Sequence, residues 1–143
     1  MIRNQDYELN IRLRQAGGTV WFDPELWVGY RPRGSWRALA TQYYEYGYWK
    51  AVVLQMHPDS ARLRQLVPPI AIAGVLGGLL LGRRHPAALL APGTYWAVLA
   101  ASAGRRGGPR RRGSRILTLA TTHLAWSTGF VVSAFSTRST VSS

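Results

Sequence analysis

An α/β segment followed by a membrane-interfacial helix and about three transmembrane helices is the fold class this sequence predicts. Three observations predict it. Residues 1–34 hold an amphipathic segment and two β-rich runs. Residues 35–57 read as one long helix crowded with Tyr and Trp. Three uncharged apolar stretches then follow with arginines between them.

In the first segment Leu9, Ile11, Leu13 and Ala16 recur among charged positions, Asp6 is placed to cap a helix, and Gly17-Gly18 stops it. "TVWFDP" and "LWVGYRP" end at Asp23-Pro24 and Pro32, which predicts two short strands joined by a turn. Ser35 then caps the long helix, and Pro58 closes it. At 100° per residue, Arg37, Thr41, Glu45, Tyr48 and Gln55 fall in a polar sector only about 80° wide. Trp36, Leu39, Tyr43, Tyr44, Tyr46, Trp49 and Val53 cover most of the remainder. Rings with one wet and one dry end concentrate at a bilayer interface, so residues 35–65 are expected to form an interfacial helix and linker. A helix buried in a soluble core has the same pattern.

The apolar stretches decide between these two. Residues 66–82, 86–104 and 116–135 carry no charge over 17, 19 and 20 positions. A spanning helix needs about 20 apolar residues, with a range of roughly 17–25. The first opens on Pro68-Pro69, the second contains Pro92-Gly93, and the third is rich in Ser and Thr. Three in succession predict a multi-pass protein of the cell membrane, with the first 65 residues on the cytoplasmic side. Between the second and third, six of the eleven residues 105–115 are Arg, which predicts a cytoplasmic loop by the positive-inside rule. The Ser/Thr-rich residues 136–143 are expected to be a disordered tail.

The charge is placed asymmetrically. Lys and Arg number 18 against 6 acids, a net +12 over 143 residues, yet residues 61–143 hold eleven arginines and no acid. Such a half implies an anionic surface, and membrane lipids are the expected partner. Nucleic acid is not: the arginine run lacks interleaved aromatic residues and lies between apolar stretches of membrane length. With no cysteine, disulfides and thiolate metal sites are excluded. His57, His85 and His123 are scattered, and no metal site can be built from them.

"NQDYELNIRLRQAGGTVWFDPEL" resembles the last part of the catalytic domain of family 2 glycosyltransferases, above all the succinoglycan-biosynthesis branch. In that branch a carboxylate pair opens a helix of the form Asp-x-Glu-Leu-x-x-Arg, then comes Ala-Gly-Gly and a strand ending in Asp-Pro. The chain matches at Asp6, Glu8, Leu9, Arg12, Ala16, Gly17, Asp23 and Pro24, and further on at Gln42, Tyr46, Gly47, Trp49 and Lys50. The resemblance covers residues 3 to about 80 and implies that 1–34 are the C-terminal edge of a GT-A-like α/β catalytic domain, truncated at its N-terminus.

What the resemblance implies about function is specific. The parent would be an inverting transferase that moves a sugar from a nucleotide-sugar donor to a lipid-linked or polysaccharide acceptor at the cytoplasmic membrane face. Asp6 would be the catalytic base, since inversion needs a carboxylate within reach of the acceptor hydroxyl proton. A plain helix cap is the other role open to it. Gln42, Tyr46 and Trp49 would bind substrate; Gln42 also stands on the apolar side of its helix, where an amide requires a partner. Two departures matter. Gln5 replaces the first acid of the pair, and no Arg precedes Trp49, so the Gln-x-x-Arg-Trp form of processive synthases is absent. Neither an Asp-x-Asp motif nor a Gly-rich phosphate loop is present. The chain is therefore expected to hold no cofactor itself, with a divalent metal (Mg or Mn) in the missing half, and to be inactive alone. The competing expectation is a non-enzymatic membrane module whose basic loop binds anionic lipid or a partner subunit.

Overall fold

The computed structural model describes residues 5–29, 34–104 and 108–136, which are helical throughout their regular parts. The chain runs through α1 (Gln5–Gln15), α2 (Trp36–Met56), α3 (Val67–Leu81), α4 (Leu90–Ser102) and α5 (Gly108–Ser136). Three short 3₁₀ turns, Pro58–Ser60, Leu63–Gln65 and Pro86–Leu89, join the helices from α2 to α4.

Local chemistry sets the helix ends. Gly17 adopts φ +82 and closes α1. Its N–H donates to Arg14 O at 3.1 Å while Gly18 N–H reaches Leu13 O at 2.8 Å, the paired bonds of a left-handed C-terminal cap. α1 already includes Gln5, so Asp6 stands in the first turn instead of at the cap position. Ser35 does cap α2, its Oγ accepting from Ala38 N at 3.2 Å. At the other end of the fold Arg112 and Arg115 donate to Ala100 O (3.0 Å) and Ala103 O (3.2 Å), capping the orphan carbonyls of α4 from α5.

The expected strands do not form: no strand occurs among the described residues. Residues 19–29 contain only a turn, with Asp23 Oδ1 accepting from Glu25 N at 2.9 Å. Tyr30 to Arg33, the end of the second expected strand, lie outside the described residues. The physical reason is want of a partner. Trp21 and Trp27 are 85% and 93% exposed, so nothing covers the apolar side chains that a sheet face would bury. A lone two-stranded ribbon is marginal in water.

The three expected transmembrane helices are likewise corrected. Among the described residues one helix, Arg111–Ser136 within α5, is long and apolar enough to cross a membrane; Val67–Leu81 is a shorter apolar helix. Prolines shorten the other two stretches. Pro68 and Pro69 fall in the first turn of α3 and Pro92 in the first turn of α4, where a missing N–H costs nothing. They therefore mark helix starts. At 1.5 Å per residue the 13 residues of α4 reach only about 20 Å, against a hydrocarbon core of about 30 Å. The expected arginine loop is corrected too, because residues 108–115 are the opening turns of α5. Residues 105–107 and the tail beyond Ser136 lie outside the described residues.

Packing centres on α2 against α5, with α3 and α4 laid on α5 as a hairpin. Two glycines permit the close approach. A Cβ on Gly47 would collide with the backbone oxygen of Trp126, and one on Gly129 with the backbone oxygen of Tyr44. Each helix thus seats a glycine in the backbone groove of the other. Ala51, Val53, Leu99 and Ala103 form the apolar core, joined by buried Lys50, Thr122, Ser127 and Ser133. The outer stripe of α5 is the reverse: Leu117, Leu124, Val131 and Phe135 are exposed.

Candidate functional site at the junction of α1 and α2

α1 is held to the C-terminal half of α2 by two contacts between neighbouring residues. Tyr7 lies beneath Lys50, whose Nζ is 3.4 Å from the ring centroid. Lys50 is only 7% exposed, so the ring face stands in for the water that the ammonium has lost. Lys50 is the first cause of a lowered Tyr7 pKa, by hydrogen bonding to the phenol; Gln65 and Ser60 act in the same direction. Tyr7 thus meets α2 through Lys50.

The second contact is Glu8 with His57, 3.1 Å apart across 49 residues of sequence. The Glu8 and His57 side chains are 13% and 15% exposed. Glu8 also meets Arg12 at 2.8 Å, one helical turn on, as the spacing predicts. The hydrogen bond from His57, and then Arg12, holds the Glu8 carboxyl below its ordinary range.

Asp6 is exposed on the first turn of α1, next to Tyr7 and so near the Lys50 end of α2. Gln42 has its required partner: its Nε2 donates to the Tyr46 hydroxyl at 2.8 Å. Tyr46 in turn meets Tyr43 edge-on at 5.8 Å. Trp49 is stacked edge-on with Tyr48 at 5.6 Å. The structure thus joins Gln42 with Tyr46, while Lys50 and the adjoining α1 stand eight residues, about 12 Å, further along α2. Asp6, on α1, and Gln42, on α2, therefore stand at separate stations along α2.

Sequence reasoning missed Tyr7, Lys50 and His57. The buried lysine was signalled only by its place in the resemblance, and the Glu8–His57 pair carried no local signal. Among the described residues no group of three or more His, Asp or Glu side chains could hold a metal ion. These residues do not fit a divalent cation, and no step is derived through one.

The chain is 33% identical over 131 residues to succinoglycan biosynthesis protein ExoA of Rhizobium meliloti (strain 1021). The match takes in 89% of this chain and 39% of the relative, so the chain spans well under half the length of the protein it resembles. No family model matches the chain. No solved structure matches it. The relative's name agrees with the branch to which the motifs around Asp6 and Gln42 point, which supports a glycosyltransferase-like family.

Proposed function

We propose that the chain supplies the acceptor-side, membrane-proximal part of an inverting glycosyltransferase. The enzyme would move a sugar from a nucleotide-sugar donor to a lipid-linked or polysaccharide acceptor at the cytoplasmic face of the cell membrane. The observation that carries this reading is the similarity to the succinoglycan biosynthesis protein over 89% of the chain, an extent that takes in the Gln42 helix.

In the proposed reaction a carboxylate oxygen of Asp6 takes the proton of the acceptor hydroxyl as that oxygen attacks the anomeric carbon. The nucleoside diphosphate leaves from the opposite side of the ring, which inverts the configuration. Exposure on the first turn of α1 leaves Asp6 open to an incoming hydroxyl. Lys50 and Tyr7 would fix the orientation of that turn; Gln42, Tyr46 and Trp49 would line the approach along α2. The donor's nucleotide and a divalent metal would be held by chain outside this sequence.

A membrane location has its own support. α5 turns Leu117, Leu124, Val131 and Phe135 outward and keeps Thr122, Ser127 and Ser133 buried, the polarity expected where lipid is the solvent. The close glycine crossing of α2 and α5 is the packing that small residues allow between membrane helices.

The test joins this chain to the part of the succinoglycan relative that lies outside the match. The fusion, purified in detergent, is offered a panel of nucleotide sugars with lipid and oligosaccharide acceptors. Transfer with inverted anomeric configuration is expected. A fusion that binds nucleotide sugar and inserts into membranes, yet transfers nothing, would favour a non-enzymatic module.

A further inference from the structure

The 3₁₀ turns Pro58–Ser60 and Leu63–Gln65 carry the chain from α2 to α3 alongside α1. A groove of about 270 Å³ opens there, lined by Tyr7, Asn10, Arg14, Ser60, Arg62 and Arg64. Three guanidinium side chains border it together with a phenol, an amide and a hydroxyl, and its lining holds no carboxylate. Of the acids of α1, Glu8 is already engaged by His57 and Arg12. Among the described residues none forms an ion pair with Arg14, Arg62 or Arg64. A cluster of uncommitted guanidinium forks with neutral donors beside it suits a phosphate group.

A second feature adjoins the groove. Leu63, Leu66, Val67 and Ile70 are all exposed, Leu63 by 86%. Their spacing of three and four residues lines them up from the arginines onto α3. Phosphate recognition at one end and an apolar track leading away from it describe a lipid better than a free anion.

We propose that this groove binds the phosphate of an anionic membrane phospholipid, whose acyl chain lies along Leu63, Leu66, Val67 and Ile70. The bound lipid would fix α1, and with it Asp6, at the bilayer surface. The site rests on the membrane location argued above and is independent of sugar transfer. It is also distinct from the arginines of α5, two of which cap α4.

The experiment uses the full chain in a non-ionic detergent, titrated calorimetrically with short-chain phosphatidylglycerol, short-chain phosphatidylcholine and inorganic phosphate. Phosphatidylglycerol is expected to bind at one site, about tenfold or more tighter than either of the others. Replacing Arg14, Arg62 and Arg64 together by Gln should weaken it by about tenfold or more, whereas Gln at the exposed Arg83, Arg84 and Arg111 removes the same charge and should change it by less than about twofold. Leu63→Ser with Val67→Ser and Ile70→Ser should weaken lipid and leave phosphate unchanged. The proposal is overturned if the first triple variant binds as the parent does, or if the second loses as much. Inorganic phosphate binding as tightly as the lipid, with the serine variants silent, would also overturn it in favour of a free-phosphate site. Helix content by circular dichroism confirms that each variant is folded. Resistance of the vesicle-inserted chain to alkaline carbonate tests the membrane location separately.

Discussion

Gly47 of α2 and Gly129 of α5 are set into each other's helix, each facing a backbone carbonyl of the other where a side chain would stand. The prediction is sharp because the obstacle is backbone and cannot swing aside. Gly47→Ala or Gly129→Ala should destabilise the fold by about 1–3 kcal/mol, the usual cost of overpacking. Gly74, on α3, has nothing near its missing Cβ, and Gly74→Ala should be neutral or stabilising by up to about 1 kcal/mol from helix propensity. Thermal unfolding in detergent, followed by circular dichroism, compares the three; equal stability for Gly47→Ala and Gly74→Ala would refute the close crossing.

Tyr7 covers the buried Lys50 ammonium, so Tyr7→Leu should leave that charge poorly solvated. The expected loss is about 0.5–2 kcal/mol, seen as faster amide exchange across α1. Lys50→Met added to Tyr7→Leu should restore much of the protection, because no buried charge then remains. Additive losses in the double variant would show that the two residues act independently.

Glu8 predicts a pH dependence with a definite sign. Its carboxyl is held low in the folded chain, by His57 first and Arg12 second. A depressed acid stabilises above its unfolded pKa of about 4.3, and that stabilisation disappears as pH falls through the lower folded value. Docking of α1 should therefore weaken on acidification below the ordinary carboxylate range. Glu8→Gln should flatten this step, leaving α1 loosely docked at all pH values. Limited proteolysis at residues 16–29 as a function of pH reads the effect. A step that persists in Glu8→Gln would assign it to another acid.

How much of this was legible in the sequence follows from how far each signal reaches. Ser35, Gly17-Gly18 and Pro58 act on their own neighbours, and each marks a helix end where expected. The Glu8–Arg12 pair, one turn apart, is equally local. Val20, Trp21, Phe22, Trp27 and Val28 misled because β-propensity only takes effect with a partner strand, and none occurs among the described residues. The apolar stretches misled because composition is continuous where the backbone is not: prolines that start α3 and α4 sit inside them.

The site was legible residue by residue and not as an arrangement. Gln42 announced that it needed a partner, and Tyr46, four residues on, was within reach of pattern reasoning. Lys50 over Tyr7 and Glu8 against His57 depend on how α1 folds back on α2, which no local spacing encodes. The reciprocal seats of Gly47 and Gly129, 82 positions apart, are of the same kind.

The central claim is that Asp6 removes the acceptor proton, and the rate of Asp6→Asn in the fusion transferase tests it most directly. Asn keeps the shape of Asp and is nearly as good at a helix start, but it cannot take the proton. The account predicts a fall of about 10²–10⁴-fold in transfer rate, with donor binding and membrane insertion unchanged. A rate for Asp6→Asn within about threefold of the parent would contradict the account, for that is the outcome expected if Asp6 only supports the first turn of α1.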